Sequence, residues 1–249
     1  MPRRGLVAAA VAVVLAASGV FLWSSDSDNP TTGTLAPPPS DAVPPDSDAG
    51  GGGAPSTPAV TDDESSVDVA RAQDVVDDIP VKGRAPSTGY SRDAFGSAWE
   101  DVDDNGCDTR NDILQRDLEK IQLRDDCIVE TGVLVDPYSA VVVDFQRGQD
   151  TSSDVQIDHV VAMSNAWQTG AQFWSDEQRL DFANDPANLL AVRGDLNQQK
   201  GAGDAATWLP PDRSFRCEYV SIQVLAKHDH GLWLTPAERD AIVRELGRC

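Results

Sequence analysis

Charge is absent from Gly5 to Trp23, and apolar residues dominate that stretch behind Arg3 and Arg4. A positive start followed by an uncharged apolar run is the pattern of an export signal. The small residues Ala16 to Gly19 offer a cleavage site, but the run also reaches the ~20 residues that a spanning helix needs. Residues 1–23 are therefore read as a signal peptide or an N-terminal membrane anchor, the tether running through residues 5–23. Either reading places the following chain outside the cytoplasm. Residues 24–80 reverse the pattern, with twelve acids, one base (Arg71) and no aromatic side chain in a background of Pro, Gly, Ser and Thr. Such a stretch buries too little apolar area to offset chain entropy. It is expected to be a disordered acidic linker, with a short helix near Val69–Ile79 as its ordered part.

From Val81 the periodicities become those of a folded domain, expected over 81–249. Ile113, Leu114, Leu118 and Ile121 recur at helical spacing and predict a helix over 111–123. Val133–Val135 and Ala140–Phe145 flank Asp136-Pro137-Tyr138-Ser139 and predict a β-hairpin. Short strands are expected at 155–157 and 189–192. Ser175 with Gln178 predicts a capped helix to Ala183, and Asp195 or Leu196 opens a helix that Gly201 stops. Thr235-Pro236 with Glu238 opens a last helix to about Leu246. The mixture predicts an α+β fold. Asn165-Ala-Trp167, Phe173-Trp174 and Trp208 read as core.

The 249 residues carry 20 Lys+Arg against 41 Asp+Glu, a formal charge of −21, and residues 81–249 alone hold 17 bases against 29 acids. That excludes a basic nucleic-acid coat protein, whose affinity would rest on a cationic surface. It does not exclude an enzyme that meets phosphates through a bound metal. Cys107, Cys127, Cys217 and Cys249 lie behind an export signal and are expected to form two disulfides. Of the three pairings, the sequential one (107–127 and 217–249) closes the shorter loops and is the expected one. Zinc is disfavoured because no CxxC or CxxH spacing occurs.

The candidate chemistry lies in Asp158-His159 at a strand end, Asn188 opening a second strand, and Asn197-Gln-Gln-Lys200-Gly201 on a short helix. Strand, strand and helix in that order can gather an acid, an imidazole and an amide oxygen. The set suits phosphodiester hydrolysis. Asp158 and Asn197 supply oxygen ligands to a hard divalent cation, Mg²⁺ or Mn²⁺, with room for water and phosphate. His159 points to the opposite strand face and can take a proton from an attacking water. Lys200 can meet a phosphate oxygen as a point charge.

These blocks resemble the HNH endonuclease signature in its His-Asn-Asn form. More specifically, Asn105-Gly-Cys107-Asp-Thr-Arg110, Asp158-His159-Val-Val, Asn165-Ala-Trp167, Asn188-Leu-Leu-Ala-Val192, Asn197-Gln-Gln-Lys200-Gly201, Ala206-Thr-Trp208 and Cys217-x-Tyr219 resemble a secreted bacterial branch. Its domain is shared with the C-terminal part of GmrSD-type modification-dependent restriction enzymes. The resemblance covers roughly residues 90–249. It implies a ββα-metal (His-Me) finger embedded in a small disulfide-stapled mixed domain. It also implies His159 as general base, Asp158 and Asn197 as metal ligands, and Asn188 as the residue that braces the finger loop. Asn184 competes for that last role. Ala162, Met163, Gly203 and Ala205 depart from the family pattern at positions that shape loops. The expected partner is a nucleic acid substrate, DNA ahead of RNA, cut by a monomer.

Two other motifs compete for attention. Asp101-Val-Asp103-Asp-Asn105-Gly106 with Asp112 has calcium-loop spacing, and supports the alternative of a non-catalytic calcium-binding surface module on an acidic stalk. In the same block Arg110 is an expected phosphate contact, because a guanidinium matches a phosphate in two places. His228 and His230, around Asp229, read as a solvated loop rather than a metal site. No His-Glu-x-x-His occurs, which disfavours a metalloprotease.

Overall fold

The computed structural model describes residues 62–249, so the expected signal or anchor and most of the expected linker lie outside it. Among the described residues no helix is long and apolar enough to cross a membrane. The first element, helix α1 (Asp62–Val75), corrects the linker boundary. Ala72, Val76 and Ile79 are spaced to share one side of the chain, and all three are buried against Val220, Val224 and Ile242. Folded structure therefore starts well before residue 81. Asp74, Asp77 and Asp78 are exposed: Asp77 pairs with Arg239, while the Arg71 guanidinium donates to both carboxylate oxygens of Asp229 at 2.8 Å.

The predicted helix over 111–123 is half helix and half strand. Helix α2 (Thr109–Asp117) is capped by Asp108 and buries Ile113 and Leu114, after which β1 (Leu118–Arg124) begins. Strand β1 pairs antiparallel with β2 (Ile128–Val135) through a register shift beside Lys120, which takes φ 52°. That irregularity lets Leu118 and Ile121, three apart, lie over the same neighbour, Gly132, where a β-carbon would meet Leu118 at 2.9 Å and Ile121 at 3.1 Å. A bulged strand can thus imitate helical spacing.

The expected hairpin is present: β2 pairs with β3 (Val142–Gln146), closing a three-stranded sheet in the order β1-β2-β3. A second antiparallel sheet holds β4 (Val155–His159) and β5 (Leu189–Arg193). Between them run α3 (Met163–Gln168) and α4 (Asp176–Ala183), the latter opened by the predicted Ser175–Gln178 capping box. Helix α5 (Gly194–Lys200) follows β5 directly and packs on both strands. Helix α6 (Arg216–Asp229) is central and was not evident from the sequence. Helix α7 (Pro236–Leu246) begins at the predicted Thr235–Glu238 box.

The β4–β5 ribbon has core on both faces. Ile157, Leu189 and Ala191 pack with α2 and the three-stranded sheet, whereas Val160 and Val192 join Tyr138, Tyr219 and the α1–α6–α7 layer. Both disulfides take the expected pairing, Cys107–Cys127 and Cys217–Cys249. The first ties the entry of α2 to the β1–β2 turn, and the second ties α6 to the C-terminus. Asn165, Ala166 and Trp167 are buried as expected, but Phe173 is 75% exposed. The core role falls instead to Trp174, which packs on Phe182 at 5.4 Å. Trp208 is half-buried and packs against the core, meeting Tyr138 edge-on at 5.1 Å.

Candidate functional site

Strand alternation separates the two central residues. Along β4, Gln156 and Asp158 face α5, while Val155, Ile157 and His159 face the other way. Two rungs join strand and helix: Asn197 Nδ2 donates to Gln156 Oε1 at 2.9 Å, and Lys200 Nζ donates to Asp158 Oδ1 at 2.9 Å. Lys200 also donates to the His159 carbonyl at 2.8 Å. Its side chain has no solvent exposure. The expected surface contact with phosphate is therefore not what the structure shows. Lys200 balances Asp158 from inside.

The hairpin turn supplies a partner that the sequence did not reveal. Asp136 accepts from the Arg193 amide at 3.0 Å and so locks the turn onto the end of β5. This sends Tyr138 inward, where its hydroxyl donates to Asp158 Oδ2 at 2.6 Å. Burial raises the Asp158 pKa, opposed by the Lys200 charge and by the Tyr138 and Lys200 hydrogen bonds. Burial likewise holds the Tyr138 hydroxyl well above its usual range, reinforced by the Asp158 charge. Tyr138 is thus a fixed donor, not an acid or base.

His159 lives in a different environment. Its Nε2 lies 2.8 Å from the Ala183 carbonyl, which only a protonated ring nitrogen can satisfy. The Trp99 ring stacks on it at 6.0 Å between centroids, 20° from parallel. Burial lowers its pKa to about 4, and the charges of Arg92 and Lys200 push the same way against the Ala183 hydrogen bond. The imidazole is therefore neutral near pH 7, with Nε2 carrying the proton and Nδ1 holding the free lone pair.

Asn188 is fully buried, and its Oδ1 accepts from the Val161 amide at 2.8 Å while Nδ2 donates to the Val161 carbonyl at 3.3 Å. It clamps the turn that leaves β4 immediately after His159. Asn184 instead donates to the Leu180 carbonyl at the end of α4. Arg110 is not beside these groups: its guanidinium donates to the Val155 carbonyl at 3.2 Å and reaches the Ser152 carbonyl, bracing the entry to β4. His228 and His230 diverge, the first bonding Asp229 and the second Asp185, each at 2.8 Å. In the calcium-like loop the carboxylates of Asp101 and Asp103 accept from the Asn105 amide, and Asp101 also accepts from that of Gly106. Among the described residues no group of three or more His, Cys, Asp or Glu side chains is arranged to hold a metal ion.

A cleft of about 270 Å³ brings Asp158, His159 and Asn197 together, with Tyr90, Arg92 and Gln156 also on its wall. Each Asp158 oxygen accepts one internal bond and keeps a lone pair, and the Asn197 amide nitrogen is taken by Gln156, leaving its carbonyl oxygen. One carboxylate already balanced by Lys200 and one neutral oxygen fit a hard cation held weakly, with water and substrate completing its shell.

A buried acid–lysine pair, a neutral imidazole and an amide oxygen thus stand together on one strand–strand–helix unit. The chain belongs to the family described as the C-terminal domain of GmrSD restriction endonucleases, which matches residues 108–245. It is also similar to an "Uncharacterized secreted protein" of Arthroderma benhamiae, 36% identical over 180 residues that span 72% of this chain and 84% of the relative. That relative is fungal, whereas the sequence blocks resembled a bacterial branch. No solved structure matches the chain. The matched segment contains Asp158, His159, Asn188 and Asn197, but Arg92 and Trp99 lie upstream of it.

Proposed function

We propose that the protein is a metal-dependent endonuclease that hydrolyses phosphodiester bonds of nucleic acid, DNA ahead of RNA, outside the cytoplasm. Family membership and the unit β4–β5–α5, read as a ββα-metal finger, support it. Two disulfides, and a relative named as secreted, place the work in an oxidising extracellular setting. The observation that carries the reading is the state of His159: a neutral imidazole, its Nε2 proton committed to Ala183, on the wall of the cleft that Asp158 and Asn197 share.

His159 Nδ1 takes the proton of the attacking water. The Ala183 carbonyl and the Trp99 ring hold the imidazole in the tautomer and plane that this requires. Asn188 keeps the turn behind His159 from moving, and Tyr138 and Lys200 hold the Asp158 carboxylate. Asp158 and Asn197 would hold the divalent ion, Mg²⁺ or Mn²⁺, which supplies charge stabilisation to the phosphate and the leaving oxygen when bound. The calcium-module alternative gains no observation from the structure.

Incubation of the full chain with supercoiled plasmid, with Mg²⁺, with Mn²⁺ and with EDTA, tests this. Nicking and linearisation are expected with either metal and not in EDTA. Undiminished cleavage in EDTA would leave Asp158 and Asn197 without a role and overturn the metal part. The absence of cleavage of DNA and RNA under all conditions would overturn the whole reading.

A further inference from the structure

The cleft is not closed by the matched family segment alone. Tyr90 and Arg92, which precede that segment, complete its wall. Phe95 anchors this stretch, 1% exposed and packed against Trp167 and Phe182 at centroid distances of 6.3 and 6.2 Å. Ser91 caps the short 3-10 turn Arg92–Phe95 by accepting from the Ala94 amide. Trp99, further along, stacks on His159. The backbone around Arg92 is thus held against the site while the Arg92 side chain stays exposed.

Arg92 is the one Lys or Arg among the residues that line the cleft. The chain carries twice as many acids as bases, and its other cations are largely taken: Arg71 by Asp229, Arg84 by Asp204, Arg124 by Glu130, Arg193 by Asp195 and Lys200 by Asp158. Among the described residues Arg92 has no carboxylate within ion-pair distance. An unpaired guanidinium on a fixed turn, beside a base and next to a carboxylate already neutralised by lysine, makes this wall locally cationic on an acidic protein. A guanidinium offers a planar fork that matches two phosphate oxygens.

We propose that Arg92 binds a backbone phosphate of the polynucleotide, so that residues 90–99 form a substrate-binding part of the site; this rests on the nuclease reading above. Arg92 takes the part that the sequence assigned to Arg110, whose guanidinium is spent on backbone carbonyls.

The test uses the full chain carrying His159→Ala, so that substrate survives, and a fluorescein-labelled 20-base-pair DNA duplex read by anisotropy in Mg²⁺. Adding Arg92→Ala should weaken binding about 10–100-fold, the size expected for one charge-assisted phosphate contact. The slope of log affinity against log salt should fall by about one, which a merely structural role would not produce. Arg92→Lys should recover part of the loss, and Arg239→Ala, which removes the same charge from α7, should change little. With His159 intact, Arg92→Ala should lower plasmid kcat/KM by a similar factor. Equal affinity and salt slope with and without Arg92→Ala in the His159→Ala background, when the unmutated protein cleaves plasmid, would overturn the Arg92 assignment and leave the nuclease reading standing. An unmutated chain that neither binds the duplex nor cleaves plasmid or RNA would remove the nuclease reading itself, and this proposal with it.

Discussion

The two faces of β4 put opposite demands on neighbouring residues. Asp158 faces a polar interior in which a buried lysine, a buried tyrosine and a carboxylate share hydrogen bonds. His159 faces an apolar interior with one carbonyl as its polar partner. Both are almost fully buried, yet one face is built to keep a charge and the other to exclude one. Burial alone would push both groups towards neutrality. What separates them is whether the fold brings a compensating charge to the same face, and only Asp158 has Lys200 at 2.9 Å.

That difference predicts different costs of removal. Asp158→Ala should be the most damaging change, because it strands the Lys200 ammonium in the interior. A cost of about 3–5 kcal/mol is expected from breaking a buried pair on one side, together with near-complete loss of cleavage. Urea unfolding measures the first effect. A variant as stable as the parent would show that the pair is not buried in solution. Asp158→Ala combined with Lys200→Met should regain much of the stability and none of the activity.

His159→Ala should separate the two properties. At least ~10²-fold loss of cleavage is expected from removing a general base, with a smaller stability cost than Asp158→Ala because no charge is left unpaired. Turnover near the parental rate would end its assignment as the base.

Acidification should sharpen the contrast. In the unfolded chain His159 titrates near 6.5, while in the folded chain its pKa is about 4. At pH 7 both states are mostly unprotonated there, so the group contributes little to the balance. Between pH 6.5 and 4 the unfolded chain binds a proton that the folded chain refuses, and stability falls by up to about 3 kcal/mol. Urea unfolding in EDTA at pH 7 and pH 4 should show this loss in the parent and not in His159→Gln, after the carboxylate contribution common to both is subtracted. An identical pH response in the two proteins would refute the neutral, buried imidazole.

The smallest effect is expected at Tyr138→Phe. It deletes one hydrogen bond to Asp158 and preserves ring packing with Trp208 and Tyr219, which predicts about 1.5–3 kcal/mol for a bond to a charged acceptor. Cleavage should persist with a raised metal requirement. A change beyond that range would mean that the hydroxyl also meets the substrate.

Several features were readable from the chain because their causes are local. Ser175 with Gln178 and Thr235 with Glu238 open helices where capping boxes predict them, since each box spans only one turn. The alternation Asp158/His159 follows from strand geometry, and the cysteine pairing from loop length. Other features had no local signal. Helix α6 carries polar residues inward, Gln223 and Lys227 among them, so its pattern does not advertise a buried helix. The stretch before residue 81 looked like linker because its acids outnumber the three apolar residues, Ala72, Val76 and Ile79, that dock it.

The amino-acid sequence by itself determined which residue types the site has and on which strand face Asp158 and His159 stand. Only the tertiary structure decided what those residues are. Lys200 turns inward because a carboxylate 42 positions away needs a counter-charge. Tyr138 reaches Asp158 because a hairpin turn is bolted to β5. The tautomer of His159 is set by the carbonyl of Ala183, a backbone atom whose identity no side-chain pattern encodes. Arg110 and Arg92 are the same residue type, yet backbone carbonyls occupy the first while the second stands exposed on the cleft. Protonation state and charge depend on what is brought within a few ångströms through space, and for these residues that neighbour is far away along the chain.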